Sequence, residues 1–346
     1  EISACLVGSE MCIRDSNSGT ISPNGIVLSN ASTITGAIIN DGTFAGGITL
    51  SDSASKINPG VGSAIFDAGT FSGGISNAGT LRSSSAGGTA AAIDVFFGGA
   101  FNGTISNSGT ISGAGRAHAI VVRTSAVFTG NIVNTGSIIN TQTGFTAPAI
   151  YLKEGAQFQG TISNAGTISA GGVAIRTDAS NFVGDITNTG TISARDGQIN
   201  VGAQTFSGNV VNSGTVTGAF GGISLGGTTF SGKVINSDTG LISLAGTTAT
   251  GISSQYSTFS GAITNAGTIS VGGAKARAIL VATGTVQFGT NTPGGGVVNS
   301  GKIVAGGIGI LAGRSATTPS FLAISSFAGG ITNSGTITAG QHGVLV

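Results

Sequence analysis

The chain has 346 residues, a mass of 33.2 kDa, a formal net charge of +1 and only 7% charged residues, against about 25% in an ordinary soluble domain. Sixty-three residues are Gly, Trp is absent, and Gly, Thr, Ser, Asn, Ile and Val crowd out Glu, Lys, Met and Leu, which excludes a mainly helical protein. There is no basic footprint for nucleic acid, and the mean hydropathy of +0.38 is dispersed, with no apolar run of about 18 residues for a membrane-spanning helix.

Residues 1–16, EISACLVGSEMCIRDS, differ from everything after them. They hold both cysteines (Cys5 and Cys12), the only Met (Met11) and two of the three Glu. The stretch resembles a translated sequencing-adapter fragment and is set apart as non-native. It also breaks the repeat described below, which calls for an apolar residue where Asp15 stands. It lacks the basic start, long apolar run and small-residue cleavage site of a signal peptide. Residues 17–346 contain no Cys, so no disulfide framework is expected.

From residue 40 onward one motif recurs, F-x-G-x-[IV]-x-N-x-G-[TS]-[IV]. NDGTFAGGITL (40–50) aligns with DAGTFSGGISN (67–77), although the register before residue 60 is the least defined. Then come FSGGISNAGTL at 71–81, FNGTISNSGTI at 101–111, FTGNIVNTGSI at 128–138, FQGTISNAGTI at 158–168 and FVGDITNTGTI at 182–192. The series continues as FSGNVVNSGTV at 206–216, FSGKVINSDTGLI at 230–242, FSGAITNAGTI at 259–269 and FAGGITNSGTI at 327–337. The anchoring asparagines are Asn77, Asn107, Asn134, Asn164, Asn188, Asn212, Asn236, Asn265, Asn299 and Asn333, in steps of 24 to 34 residues. An insertion, GTNTPGGG (289–296), separates Phe288 from Asn299. A third apolar segment lies between anchors: AIDV at 92–95, AIVV at 119–122, AIYL at 149–152, QINV at 198–201, GISL at 222–225 and AILV at 278–281.

Phe, Gly, Ile and Asn in F-x-G-x-I-x-N share one parity and face one way, while the Ser, Thr, Asn or Lys between them face the other. The x-G pair after Asn gives a bend, and T-I-x starts a new strand. Three short strands in a unit of about 24–34 residues cannot bury their own apolar side; stacking units at about 4.8 Å can. The expected fold is all-β, a single-stranded parallel β-helix (solenoid) with three strands per coil, over residues 17–346. Leucine-rich, propeller, heptad and sandwich patterns do not fit these registers. An inward Asn at a turn must satisfy both halves of its amide, and stacked copies do so as a ladder. The varying insertions, 314–326 (RSATTPSFLAISS) among them, are expected as side loops, where binding would reside.

The reiterated FxGxIxNxGTI with its A-I-x-V segments resembles the passenger regions of bacterial autotransporters, the type V secretion proteins, over roughly residues 17–346. The resemblance implies a right-handed β-helix, display at the bacterial cell surface or outside it, tethered to the outer membrane by a C-terminal β-barrel in the full-length protein, and a stalk or adhesin role. The partner would be a host or environmental surface, a glycan or a protein receptor, with no nucleic acid and no membrane insertion of these coils. The chain closes at GVLV (343–346), inside a third strand, as expected of an internal fragment open at both ends.

No catalytic, cofactor-binding or metal residue is assigned, and no cofactor is expected. The rival is a polysaccharide-degrading β-helix of the pectate-lyase or tailspike kind, which needs clustered acids. Acidic residues after 16 are dispersed, and none follows Asp238. The one grouping is Asp178, Asp185 and Asp196 with Arg176 and Arg195, read as a solvated face. Gly222-Ile-Ser224-Leu-Gly226 matches G-x-S-x-G and Gly307 to Ala312 matches G-x-G-x-x-A, both without the strand-to-helix context the chemistry needs. His118 and His342 have no Cys partner for zinc, and Arg116, His118 and Arg123 read as a polar edge around AIVV. A last alternative is an ice-binding array of outward Thr110/Ser112, Thr167/Ser169, Thr191/Ser193, Thr215/Thr217, Thr268/Ser270 and Thr336/Thr338, interrupted at Ser137, Lys302 and Val304.

Overall fold

The computed structural model describes residues 10–11, 15–21, 25–85, 90–141, 148–281, 287–291, 294–313, 324 and 326–346. Among them there is no helix, and every strand pairing in the sheets is parallel. The protein is a right-handed parallel β-solenoid with three sheets, each coil giving one run to each sheet. Two compact units divide it, Glu1–Asn181 and Phe182–Val346.

In the first unit the expected columns are in register. Phe44, Phe71, Phe101, Phe128 and Phe158 are fully buried, and their rings stack with centroids 4.7–5.0 Å apart. Asn77, Asn107, Asn134 and Asn164 lie level across successive strands. Each amide donates from Nδ2 to the Oδ1 of the next at 2.7 Å. The second unit repeats both devices. Phe182, Phe206, Phe230, Phe259, Phe288 and Phe327 stack at 4.7–5.1 Å. The ladder runs Asn188, Asn212, Asn236, Asn265, Asn299, Asn333 at 2.6–2.8 Å, again with Nδ2 pointing up the sequence. Burying one Phe contributes roughly 1.5–3 kcal/mol, so the ring columns, repeated coil after coil, dominate the core.

The F-x-G-x-[IV]-x-N run is sharper than a straight strand. Val127–Thr129 and Ile132–Asn134 are separate strands with Gly130 between them at φ 139°. A Cβ on Gly130 would lie 2.0 Å from the carbonyl oxygen of Gly103, so only Gly lets the coils close to sheet spacing there. In Thr229–Asn236 and Thr258–Asn265 the strand runs through unbroken.

The early register is as aligned, Phe44 against Phe71 and Ile48 against Ile75. The Asn column starts at Asn77, as the sequence alignment implies. Leu50 lies opposite Asn77. The earlier coils carry their ladder at another corner, the end of the third strand, where Asn17 donates to Asn40 at 3.0 Å and Asn40 donates to Asp67 at 2.7 Å. Sheet pairing reaches into the set-apart segment. Glu10–Met11 pairs with Thr33–Ile34, and Asp15 takes the register position of Ile38. Cys5 and Cys12 lie outside the described residues.

The 289–296 insertion leaves both columns intact. Phe288 pairs with Phe259 and Asn299 with Asn265, while the Thr290 amide closes the loop on the Gly295 carbonyl at 2.9 Å. Of the 314–326 insertion, only Ile324 and Ser326 are among the described residues. Among the described residues no helix is long and apolar enough to cross a membrane.

Candidate functional site

The core columns leave chemistry only to the outward positions, and these differ by face. On the Thr–Ile face the outward side chains keep register: Thr110 by Ser137 by Thr167 in the first unit, Thr191 by Thr215 in the second. The array is broken more often than the motif implies. Ile139 lies level with Ser112, Leu241 with Thr215 and Thr268, and Lys302 and Val304 with Thr268 and Ser270. Bulky apolar and cationic side chains at these points prevent one flat hydroxyl surface.

The third face of the first unit is different. Ala91–Val95 and His118–Val122 are buried on both sides. The outward column there runs Phe66, Asp94, Val121, Tyr151, Arg176. The ladder continues one residue past each strand, Arg123 N–H to Val95 and Lys153 N–H to Val122. This brings Phe96, Arg123, Lys153 and Asp178 into a second column beside the first.

Asp94 and Arg123 form a buried two-pronged ion pair, Nε to Oδ1 at 2.7 Å and Nη2 to Oδ2 at 2.6 Å. Ser63 adds a hydroxyl to Oδ2 at 3.2 Å, and the guanidinium lies 5.2 Å from the centre of the Phe96 ring. Burial raises the Asp94 carboxyl, and the Arg123 guanidinium offsets part of that rise. The expected polar edge of Arg116, His118 and Arg123 is therefore corrected. Arg116 alone is exposed, while His118 and Arg123 are 2% and 5% exposed. The sequence hid this because the partner of Arg123 lies 29 residues back, on an outward position that the repeat leaves to solvent. His118 donates through Nδ1 to the Pro148 carbonyl at 2.9 Å, and burial pushes its ring down to about 4, so it is a neutral packing residue.

Further along, Asp178 accepts from Arg176 Nε at 2.7 Å and from the Tyr151 hydroxyl at 3.1 Å. Burial, then the charge of Asp178, raises Tyr151. Lys153 stands 5.7 Å from the Tyr151 ring centre; burial and then Arg123 hold its amine below the usual range.

The other acids of the sequence grouping are engaged separately. Asp185 caps the Asn209 backbone N–H through Oδ1 at 2.6 Å, and Asp196 lies 3.7 Å from Arg195. Ser224 sits inside a regular strand, level with Asn200 and Ser253, so G-x-S-x-G forms no elbow. Gly307 to Ala312 likewise leads into the buried strand Ile308–Ala312. Among the described residues no three His, Cys, Asp or Glu side chains gather as a metal site.

The chain matches no family model, no curated protein and no solved structure.

Proposed function

We propose that the chain is a structural, adhesin-like passenger segment of a type V secretion protein, held at the bacterial cell surface, whose coils present side-chain patches to a host or environmental surface. The observation that carries this reading is the uniform use of the interior for columns of Phe and Asn, which leaves chemistry to isolated outward patches. The motif F-x-G-x-I-x-N that builds those columns is also the basis of the resemblance to autotransporter passengers. A role without catalysis is supported by the state of the acids: Asp178 is tied to Arg176 and Tyr151, and Asp185 caps a backbone amide. Hydrolysis of a glycosidic bond needs one carboxyl group to hold or release a proton beside the scissile oxygen and a second about 5–9.5 Å away.

The test is surface labelling of intact bacteria that produce the complete protein, before and after external protease. Labelling that disappears on protease treatment is expected; labelling only after lysis would overturn surface display. A parallel assay for reducing ends or unsaturated uronates over a polysaccharide panel addresses catalysis. Turnover abolished by Asp185→Asn or Asp196→Asn would replace the stalk reading with an enzymatic one.

A further inference from the structure

Three cations stand on the outward columns of the third face, and they are not equally engaged. Arg123 is closed on Asp94 from two sides. Arg176 commits only Nε, to Asp178, and its two terminal nitrogens make no hydrogen bond among the described residues. The Lys153 ammonium makes neither a hydrogen bond nor an ion pair among the described residues, although the residue is half-buried. The charge of Asp94 favours the Lys153 ammonium, but Arg123, which is closed on Asp94, opposes it more, and burial, at a cost, removes solvation that no direct partner replaces. The cost is recovered if an anion arrives.

The surroundings narrow the anion. Lys153 and Arg176 flank one ring, at 5.7 and 5.4 Å from the centre of Tyr151. The free edge of a planar guanidinium matches a planar carboxylate through two parallel hydrogen bonds, and the ammonium supplies a point charge beside it. Two coils before Lys153, about 10 Å along the stack, Phe97 is 52% exposed. It is held edge-on against Phe96 at 4.7 Å, and Phe96 packs on Phe66 at 4.7 Å. Phe97 lies in the turn one position past Phe96, on the column next to that of Arg123 and Lys153, and a solvent-facing ring beside a column of cations suits a polymer that offers an apolar C–H face and, further along, a carboxylate. An acidic peptide fits less well. These strands are interior members of a sheet, paired on both sides, so no backbone edge is open to add a strand.

We propose that the strip from Phe97 through Lys153 to Arg176 binds a uronate-bearing polysaccharide lying along the stacked coils, its ring face on Phe97 and its carboxylate between Lys153 and Arg176. This rests on the reading of the coils as a binding scaffold and not on where the protein is displayed. Binding draws on charge, so affinity falls as salt rises.

The test is calorimetric titration of the full chain with oligogalacturonate, with a neutral maltooligosaccharide and with a sulfated oligosaccharide as comparisons. The expected result is binding of the uronate oligomer alone, or at least tenfold tighter than the other two. Lys153→Gln should weaken it tenfold or more and flatten its salt dependence. Lys153→Arg should keep it within about threefold, and Phe97→Ala should weaken it several-fold. Thermal unfolding of each variant separates lost binding from lost fold, and the exposure of Phe97 makes a folding defect there unexpected. The proposal is overturned by no uronate binding, by equal binding of Lys153→Gln, or by a preference for the sulfated ligand. If surface labelling fails while this binding holds, display is wrong and the site stands.

Discussion

Asn40 donates from Nδ2 to Oδ1 of Asp67 at 2.7 Å, and there the first amide ladder stops. The ladder has a direction, since each amide accepts from the coil before and donates to the coil after. The next residue in register with Asp67 is Val95, whose side chain can accept nothing. A final member that only accepts therefore fits, and a carboxylate is such a group. Its burial has an electrostatic consequence: the Asp67 carboxyl is pushed up to about 6.

Stability should then depend on pH in two opposed ways. Asp67 holds its proton more tightly folded than unfolded, so its contribution is complete below about 4 and is lost as pH rises through about 6. His118 is lowered from 6.5 to about 4, so its contribution stands above 6.5 and is lost as pH falls through about 4. Asp67→Asn should gain on the wild type by on the order of 2 kcal/mol as pH goes from about 4 to 7, and His118→Gln should gain in the acid direction. Thermal unfolding over that range reads both. Two difference profiles of the same sign would refute the assignment.

The main ladder predicts unequal costs for the same substitution. Asn107 both accepts from Asn77 and donates to Asn134, so Asn107→Leu breaks two rungs, removing the acceptor of one neighbour and the donor of the other, and should cost about 1–3 kcal/mol. Asn77 has an Oδ1 without a partner and faces Leu50. Asn77→Leu should therefore cost less than about 1 kcal/mol. Denaturant unfolding of the two variants, with equal losses, would show that the amides do not act as a directional chain.

Two glycines of the first unit separate backbone strain from close approach. Gly130 and Gly98 both have positive φ, 139° and 73°. A methyl at Gly130 meets the Gly103 carbonyl, whereas nothing lies within 4 Å of the corresponding point at Gly98. Gly130→Ala should cost on the order of 3 kcal/mol, and Gly98→Ala about 1 kcal/mol. Comparable melting temperatures for the pair would mean that the coils can part at the bend without loss.

Removing Arg123 leaves the Asp94 carboxylate buried and uncompensated. Arg123→Met should cost about 3–5 kcal/mol, and adding Asp94→Leu should recover most of it. A double variant as unstable as the single one would mean that the loss comes from the guanidinium's place over the Phe96 ring and not from the stranded charge.

Repetition made the core legible and the outward patches illegible. Phe71, Phe101 and Phe128, or Asn77, Asn107 and Asn134, occur at one position of a motif stated many times over, so parity and spacing were enough to stack them. Asp94 and Arg123 each occur once. Their outward parity implies solvent, and only the fold brings Ser63 and Phe96 against them. The early ladder escaped for another reason. Asn40 and Asp67 precede the Thr–Phe strand, whereas Asn77 follows the Ile strand, so the same side-chain device sits at a different corner, outside the F-x-G-x-[IV]-x-N motif.

The sameness of the rungs also sets how such a chain can change length. Asn212 lies level with Asn188 on one side and Asn236 on the other. Excising residues 212–235, the 24 that separate two rungs, would join Val211 to Asn236 and hand Asn236 the amide that Asn212 had received. The core seams join like to like, Asn188 to Asn236 and Phe206 to Phe259, while on the outward Thr–Ile face Thr191 would meet Leu241. A lineage could lengthen or shorten such a stack by duplicating or dropping one segment of gene, about 4.8 Å at a time, while the singular patch around Lys153 keeps its address relative to its own neighbours.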